Sequence, residues 1–207
     1  DLRPLFRQRP RLLVKALGQH RQLNWTANQR IKGLVRHFQI FRDSPLAKQV
    51  STIAKEGLIL YESLGQKTLL VQSRYSTDYL DCDQEGELEI RWIANNKIVW
   101  VMAFFLDRDP VTGSNEIHIT RNQGTSDTLK TLRDVRREIE SLDFFRVAIS
   151  ALLGVAKACN ATKIVVVNPA FQCTLGNLNT TELADVQFRA RQYREVFITA
   201  LQLEDKP

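Results

Sequence analysis

Ile31, Leu34, Val35, Phe38 and Phe41 recur every three to four positions, and that period predicts an amphipathic helix over 27–43 ending near Asp43. Ser44 as N-cap, Pro45 at the first helical position and Gly57 at the stop frame a second helix. The pattern then changes period. Residues 67–75, 86–93 and 97–106 are rich in β-branched and aromatic side chains, and each predicts a strand. Leu88, Ile90 and Trp92 alternate with Glu87, Glu89 and Arg91, which predicts one core face and one wet face for that strand. Asn95-Asn96 fits a two-residue hairpin turn, because Asn tolerates positive φ. The run 97–106 is apolar on both sides and is expected at the centre of the sheet. A further strand, 115–121, follows the loop 107–114 and closes at Gln123-Gly124.

Leu129, Leu132, Val135, Ile139 and Leu142 return to helical spacing, with Asp127 as cap, and 144–160 predicts a second, more apolar helix that should be buried. Lys163-Ile-Val-Val-Val-Asn168 reads as a short strand inside a parallel or mixed sheet, and 180–203 is again helical in composition. The expected fold is therefore α/β: N-terminal helices, a mixed, mainly antiparallel sheet, and a helical crossover into a strand parallel to an earlier one. Residues 1–21 are expected as a basic N-terminal arm and 22–207 as a single α/β domain.

Composition narrows the class. With 207 residues, 43% apolar and 25% charged, disordered and collagenous chains are excluded, and no apolar run reaches the roughly 18 to 20 residues of a membrane span. No apolar stretch followed by small residues reads as a signal peptide. Cys82, Cys159 and Cys173 are widely spaced, and His20, His37 and His118 are scattered, so neither a disulfide framework nor a metal is expected. These features favour a reducing, cytoplasmic location. The net charge of +6 is concentrated: Arg3, Arg7, Arg9, Arg11, Lys15 and Arg21 face only Asp1 in the first 21 residues. Interleaved with Leu2, Leu5, Phe6, Leu12, Leu13, Val14 and Leu17, they have two readings: peripheral contact with an anionic (inner) membrane or acidic partner, or a helix with its apolar stripe packed on the body. Aromatic side chains do not interleave the basic cluster, which argues against nucleic acid.

In mixed sheets the crevice beyond the strand before the crossover is the natural ligand site, and Arg121-Asn122-Gln123-Gly124-Thr125-Ser126 occupies it. This segment is similar to the R/Q-x-x-G-x-G/A loop of the acyl-CoA acetyltransferase (GNAT) fold. Arg121 and Gly124 match, whereas Ser126 stands where Gly or Ala is expected, and two helices follow where that fold has one. The resemblance implies a coenzyme A thioester as co-substrate, held by Arg121, Gln123, Gly124, Thr125 and Ser126. A strand-ending turn capped by Asp127 accounts for the same residues.

A longer resemblance covers about residues 22–203. Arg36-His37-Phe38 within 30–41, Glu85-Gly86-Glu87-Leu88, a strand ending Gln123-Gly124, and an apolar helix followed by Lys163 to Asn168 together resemble the VirK/YbjX family of bacterial proteins. The chain departs from that family at Ser141-Leu142-Asp143-Phe144, where a Gly-Leu-x-Pro element is usual, and near 171–190. The resemblance implies an association with virulence and resistance to cationic antimicrobial peptides, but no reaction.

Glu116 and His118 fall two apart on one face of strand 115–121, with Thr120, while Ile117, Ile119 and Arg121 take the other. Such a pair can share a proton and serve as general base toward an amine or hydroxyl acceptor; the same face can equally be the solvent side of the sheet. Trp92 and Trp100, on adjacent strands, suit either an aromatic wall for the acyl group or ordinary core packing. His37, beside Arg36 on the polar side of its helix, is expected at the surface. Cys159 reads as inert core and Cys173 as the better reactive thiol. No nucleophile elbow, Walker loop or H-E-x-x-H is present. The expectation is an acyltransferase-like protein moving an acyl group from an acyl-CoA donor to an amine or hydroxyl acceptor. The alternative is a non-catalytic envelope factor that docks its basic arm on a membrane surface or acidic partner.

Overall fold

Thr26 and Gln29 start the long helix by exchanging caps: Thr26 Oγ1 accepts the Gln29 N–H, and Gln29 Oε1 accepts the Thr26 N–H at 2.7 Å. In a computed structural model describing residues 2–8, 10, 25–62, 69–75, 86–94, 96–124 and 144–167, this helix, α2, spans Ala27–Asp43. It follows a short helix α1, Arg3–Gln8. Ser44 then leads into a 3₁₀ turn, Pro45–Gln49, and α3, Val50–Lys55, so the expected second helix opens tighter than an α-helix. Gly57 ends it with φ +88°, its N–H bonded to Thr52 O.

Six strands form one sheet in chain order: β1 (Leu58–Glu62), β2 (Leu69–Tyr75), β3 (Leu88–Ala94), β4 (Lys97–Arg108), β5 (Asn115–Gly124) and β6 (Ala161–Val166). The first four pairings are antiparallel, and β6 returns parallel to β5. The mixed α/β class and the parallel return agree with the sequence reading. Strand β1 was not expected: five residues without clean alternation after a helix stop leave little period to read. A turn joins β3 to β4 where the hairpin was expected, with Ala94 opposite Lys97 and Asn96 at φ +60°; Asn95 lies outside the described residues. Helix α4, Phe144–Ala158, precedes β6, and Asn160 at φ +50° makes the turn between them.

Leu88, Ile90, Trp92, Met102, Phe104, Leu106, Ile117 and Ile119 share one side of the sheet and pack with apolar residues of all four helices in a single core. Leu5 of α1 is fully buried in that core and Phe6 lies edge-on to Phe38, 4.9 Å between centroids. These residues of the N-terminal segment thus turn inward, while Arg3 and Arg7 are exposed. Residues 11–24, the expected helices at 127–142 and 180–203, Cys82 and Cys173 lie outside the described residues.

The other side of β3 departs from expectation. Glu87, Glu89 and Arg91 are not a wet face: they are 0%, 1% and 6% exposed. Glu89 and Arg91 tolerate burial because they pair, Arg91 Nε donating to Glu89 Oε2. His37 is likewise fully buried rather than superficial. Beyond the Leu88–Phe104 pair, β4 outlasts β3, and the Leu106 N–H donates to His37 Nδ1 at 3.0 Å. Nδ1 is therefore an acceptor, and its 4.0 Å approach to Glu87 Oε2 is contact with a ring nitrogen that carries no hydrogen.

Candidate functional site

Residues two apart on a strand point the same way, so β5 aims Glu116 and His118 to one side. Glu116 Oε2 lies 2.9 Å from His118 Nε2. The β5–β6 register sets Lys163 opposite Glu116, and Lys163 Nζ donates to Glu116 Oε1 at 2.9 Å. One buried carboxylate thus bridges an imidazole and an ammonium; the Lys163 side chain is 57% exposed, whereas His118 and Glu116 are 13% and 6%. The Glu116 hydrogen bond raises the Lys163 pKa.

Lys163 has a second carboxylate, Asp109, at 3.6 Å. Asp109 closes the β4–β5 hairpin: Oδ1 accepts the N–H groups of Val111 and Thr112, its carbonyl accepts the Gly113 N–H, and Gly113 turns the chain at φ +70°. The Thr112 and Val111 amides hold the Asp109 carboxyl below the usual range. The hairpin therefore presents a fixed anion to Lys163.

Across the sheet, β4 supplies the partners of the dyad. Phe105 is paired with His118 and lies flat against its ring, centroids 4.8 Å apart and planes 13° from parallel, and Trp25 meets Phe105 edge-on at 5.9 Å. Asp107 is opposite Glu116, and two carboxylates at facing positions repel. Each has its own cation. Arg36 of α2 grips Asp107 with both arms, Nε to Oδ1 and Nη2 to Oδ2, the latter at 3.1 Å, and this bond raises the Arg36 pKa.

A bulge sets where the strand's next charge points. Ile119 pairs with Phe104 and Arg121 with Ala103, leaving Thr120 as the extra residue, its Oγ1 donating to Ala103 O at 3.2 Å. The bulge resets the alternation, so Arg121 shares the face of His118, contrary to the strict two-residue period read from sequence. Gln123 and Gly124 stand opposite Val101 and Trp100. The described pairing of β6 with β5 ends at Ile119–Val166, with Val167 N–H bonded to Ile119 O.

The dyad, its Lys163 counter-ion and the aromatic stack all fall within residues 1–176, which match the model of the family described as "Protein of unknown function (DUF535)". The chain belongs to this family. VirK/YbjX proteins are members of DUF535, so the resemblance read from sequence holds at the level of the family. No curated protein and no solved structure matches the chain.

In this DUF535 chain the residues singled out from sequence are divided between places. Glu116 and His118 are in contact, and Arg121 joins their face. Trp92 and Trp100 face each other on the opposite side of the sheet, Trp92 inside the core at 1% exposure and Trp100 against its margin. Gln123 and Gly124 end β5, and Thr125 and Ser126 lie outside the described residues. Lys163, Asp109, Phe105 and the Arg36–Asp107 pair were not singled out as site residues. Their partners are far away in sequence, 47 residues for Lys163 and Glu116 and 71 for Arg36 and Asp107, so no local spacing marks them. No described helix of this family member is long and apolar enough to cross a membrane.

Proposed function

We propose that this protein transfers an acyl group from an acyl-thioester of the coenzyme A type to an amine or hydroxyl acceptor, with His118 as general base and Glu116 orienting it. The supporting observation is the Glu116–His118 contact in a shielded position on the strand that leads to Arg121 and Gly124. With Nε2–H donating to Glu116, Nδ1 is the basic nitrogen, buried at rest and so reached by the acceptor only once the packing over the ring yields, and the carboxylate stabilises the imidazolium that forms. The acceptor N–H or O–H gives its proton to Nδ1 as its N or O bonds to the thioester carbon. The C–S bond then breaks, and the departing thiolate takes the proton from the imidazolium.

Arg121 and the strand end at Gly124 are assigned to the donor's phosphates, with Gln123, Thr125 and Ser126 beside them. Six residues separate His118 from Gly124, about 20 Å of strand. A donor with its phosphates at the strand end therefore needs a long extended arm to bring its thioester to His118, which a phosphopantetheine arm is. Trp92 and Trp100 do not share the face of the base, and the acyl wall is assigned instead to Phe105 and Trp25.

The test is thermal stability with coenzyme A, acetyl-CoA and a long-chain acyl-CoA. A ligand at 100 times its Kd adds about 2.7 kcal/mol, or about 5 to 10 °C in Tm for a chain of this size. Gly124→Trp should abolish the shift, and His118→Gln should retain it while losing acyl transfer. No shift with any donor, together with binding to anionic vesicles that is lost when Arg3, Arg7, Arg9, Arg11, Lys15 and Arg21 are replaced by Gln with Leu5 and Phe6 kept, replaces this reading with the membrane-surface one.

A further inference from the structure

A carboxylate against an imidazole favours the imidazolium, and a buried one does so strongly. Left alone, Glu116 would draw His118 toward the protonated form, and an imidazolium cannot take a proton. We propose that Lys163 is a positioning residue that counters this: by binding Glu116 Oε1 it aims Oε2 at His118 Nε2 and offsets the carboxylate's charge, so that the imidazole stays neutral and basic at neutral pH. The inference rests on the acyl-transfer reading only for its consequence in catalysis; the charge arrangement stands without it.

Four features carry it. Lys163 and His118 take opposite oxygens of one carboxylate, each at 2.9 Å. The parallel β5–β6 register holds Lys163 across from Glu116. Asp109, itself fixed by the amides of Val111 and Thr112, is the ammonium's second carboxylate, at 3.6 Å. The remaining charges on this face are matched elsewhere: Asp107 with Arg36 and Glu89 with Arg91. Arg121, farther along β5, and Glu87, beyond β4 near His37, complete the charged groups facing His118 among the described residues. From β4 and β6, Phe105 and Val165 occupy the positions beside it. Lys163 is thus the cation bonded to the carboxylate that His118 touches.

The chain has three histidines, so the imidazole signals of His118 are separable by NMR from those of His20 and His37. In the 207-residue chain, Lys163→Met should raise the midpoint of the His118 titration by about one pH unit or more, Glu116→Gln should lower it, and Lys163→Arg should return it to the wild-type value. The His37 signals and the thermal midpoint report that each variant is folded, and Lys163 is exposed, so its replacement leaves the core intact. If acyl transfer is measurable, the acidic limb of its pH profile should rise by the same amount in Lys163→Met. A His118 midpoint that does not move, or that falls, in Lys163→Met overturns the inference. A shifted midpoint in a protein that binds no acyl-CoA upholds the charge arrangement and removes the acyl-transfer reading alone.

Discussion

Phe105 and His118, directly paired across β4 and β5, lie with their rings 13° from parallel and 4.8 Å apart. Phe105 is fully buried, so it fixes the plane in which the imidazole meets Glu116. Phe105→Ala should destabilise by about 3 to 5 kcal/mol, and Phe105→Leu by roughly 1 to 2. Urea unfolding measures both, and a Phe105→Ala loss under 1 kcal/mol would contradict the packing described.

Asp107 is buried and depends on Arg36, whose side chain is 34% exposed. Arg36→Met leaves a shielded carboxylate without its cation. Full burial would make that loss about 3 to 5 kcal/mol, and solvent screening at Arg36 lowers the expected value to about 1 to 3. Arg36→Met combined with Asp107→Leu should recover much of it, as a double-mutant cycle would reveal.

Gly86 lies where a side chain has no room. A Cβ there would stand 2.8 Å from Phe104 N, 3.0 Å from Phe104 O and 3.1 Å from Ala103 Cβ, and the first two are backbone. Gly86→Ala should therefore push β3 from β4 and destabilise by about 1 to 3 kcal/mol. An unchanged denaturation midpoint would sink this account of the Glu-Gly-Glu-Leu segment.

Burial pushes the Cys159 thiol up to about 11, only partly opposed by a hydrogen bond with Ser44. Thiolate is scarce at pH 8, and the sulfur is shielded. Cys159 should resist alkylation in the native protein and react fully in urea, as peptide mass spectrometry would report; rapid native labelling would refute it.

The Thr112 and Val111 amides depress the Asp109 carboxyl. A depressed carboxyl contributes stability above its unfolded value, about 4, and loses it as pH falls through the lower folded value. Asp109→Asn keeps an acceptor oxygen but not the charge. Its Tm should lie below wild type at pH 6 and converge with it as pH falls below the depressed folded value; a gap that persists once the carboxyl is protonated would rule out the ionised form as the cause.

The long helix, the hairpin turn at Asn96 and five of the six strands were legible because each depends on side chains close in sequence. Helix period and the positive φ of Asn96 are local properties. Strand β1 and the 3₁₀ turn at Pro45 were not, since short segments have too few residues for a period to emerge.

Alternation in β3 told correctly that Glu87, Glu89 and Arg91 share a side, but not that this side is covered. Period reports which residues face together; burial depends on what packs above them. The Glu116–His118 pair could be found because two residues on a strand must point the same way. Its meaning could not, because Lys163 comes from a strand 47 residues on, brought alongside by the parallel register, and Arg121 reaches the face of the dyad only through the bulge at Thr120. Local pattern reached the elements and the strand that carries the candidate base; the charge balance around that base came from the packed sheet, because ion pairs across strands are set by register, which local pattern does not encode.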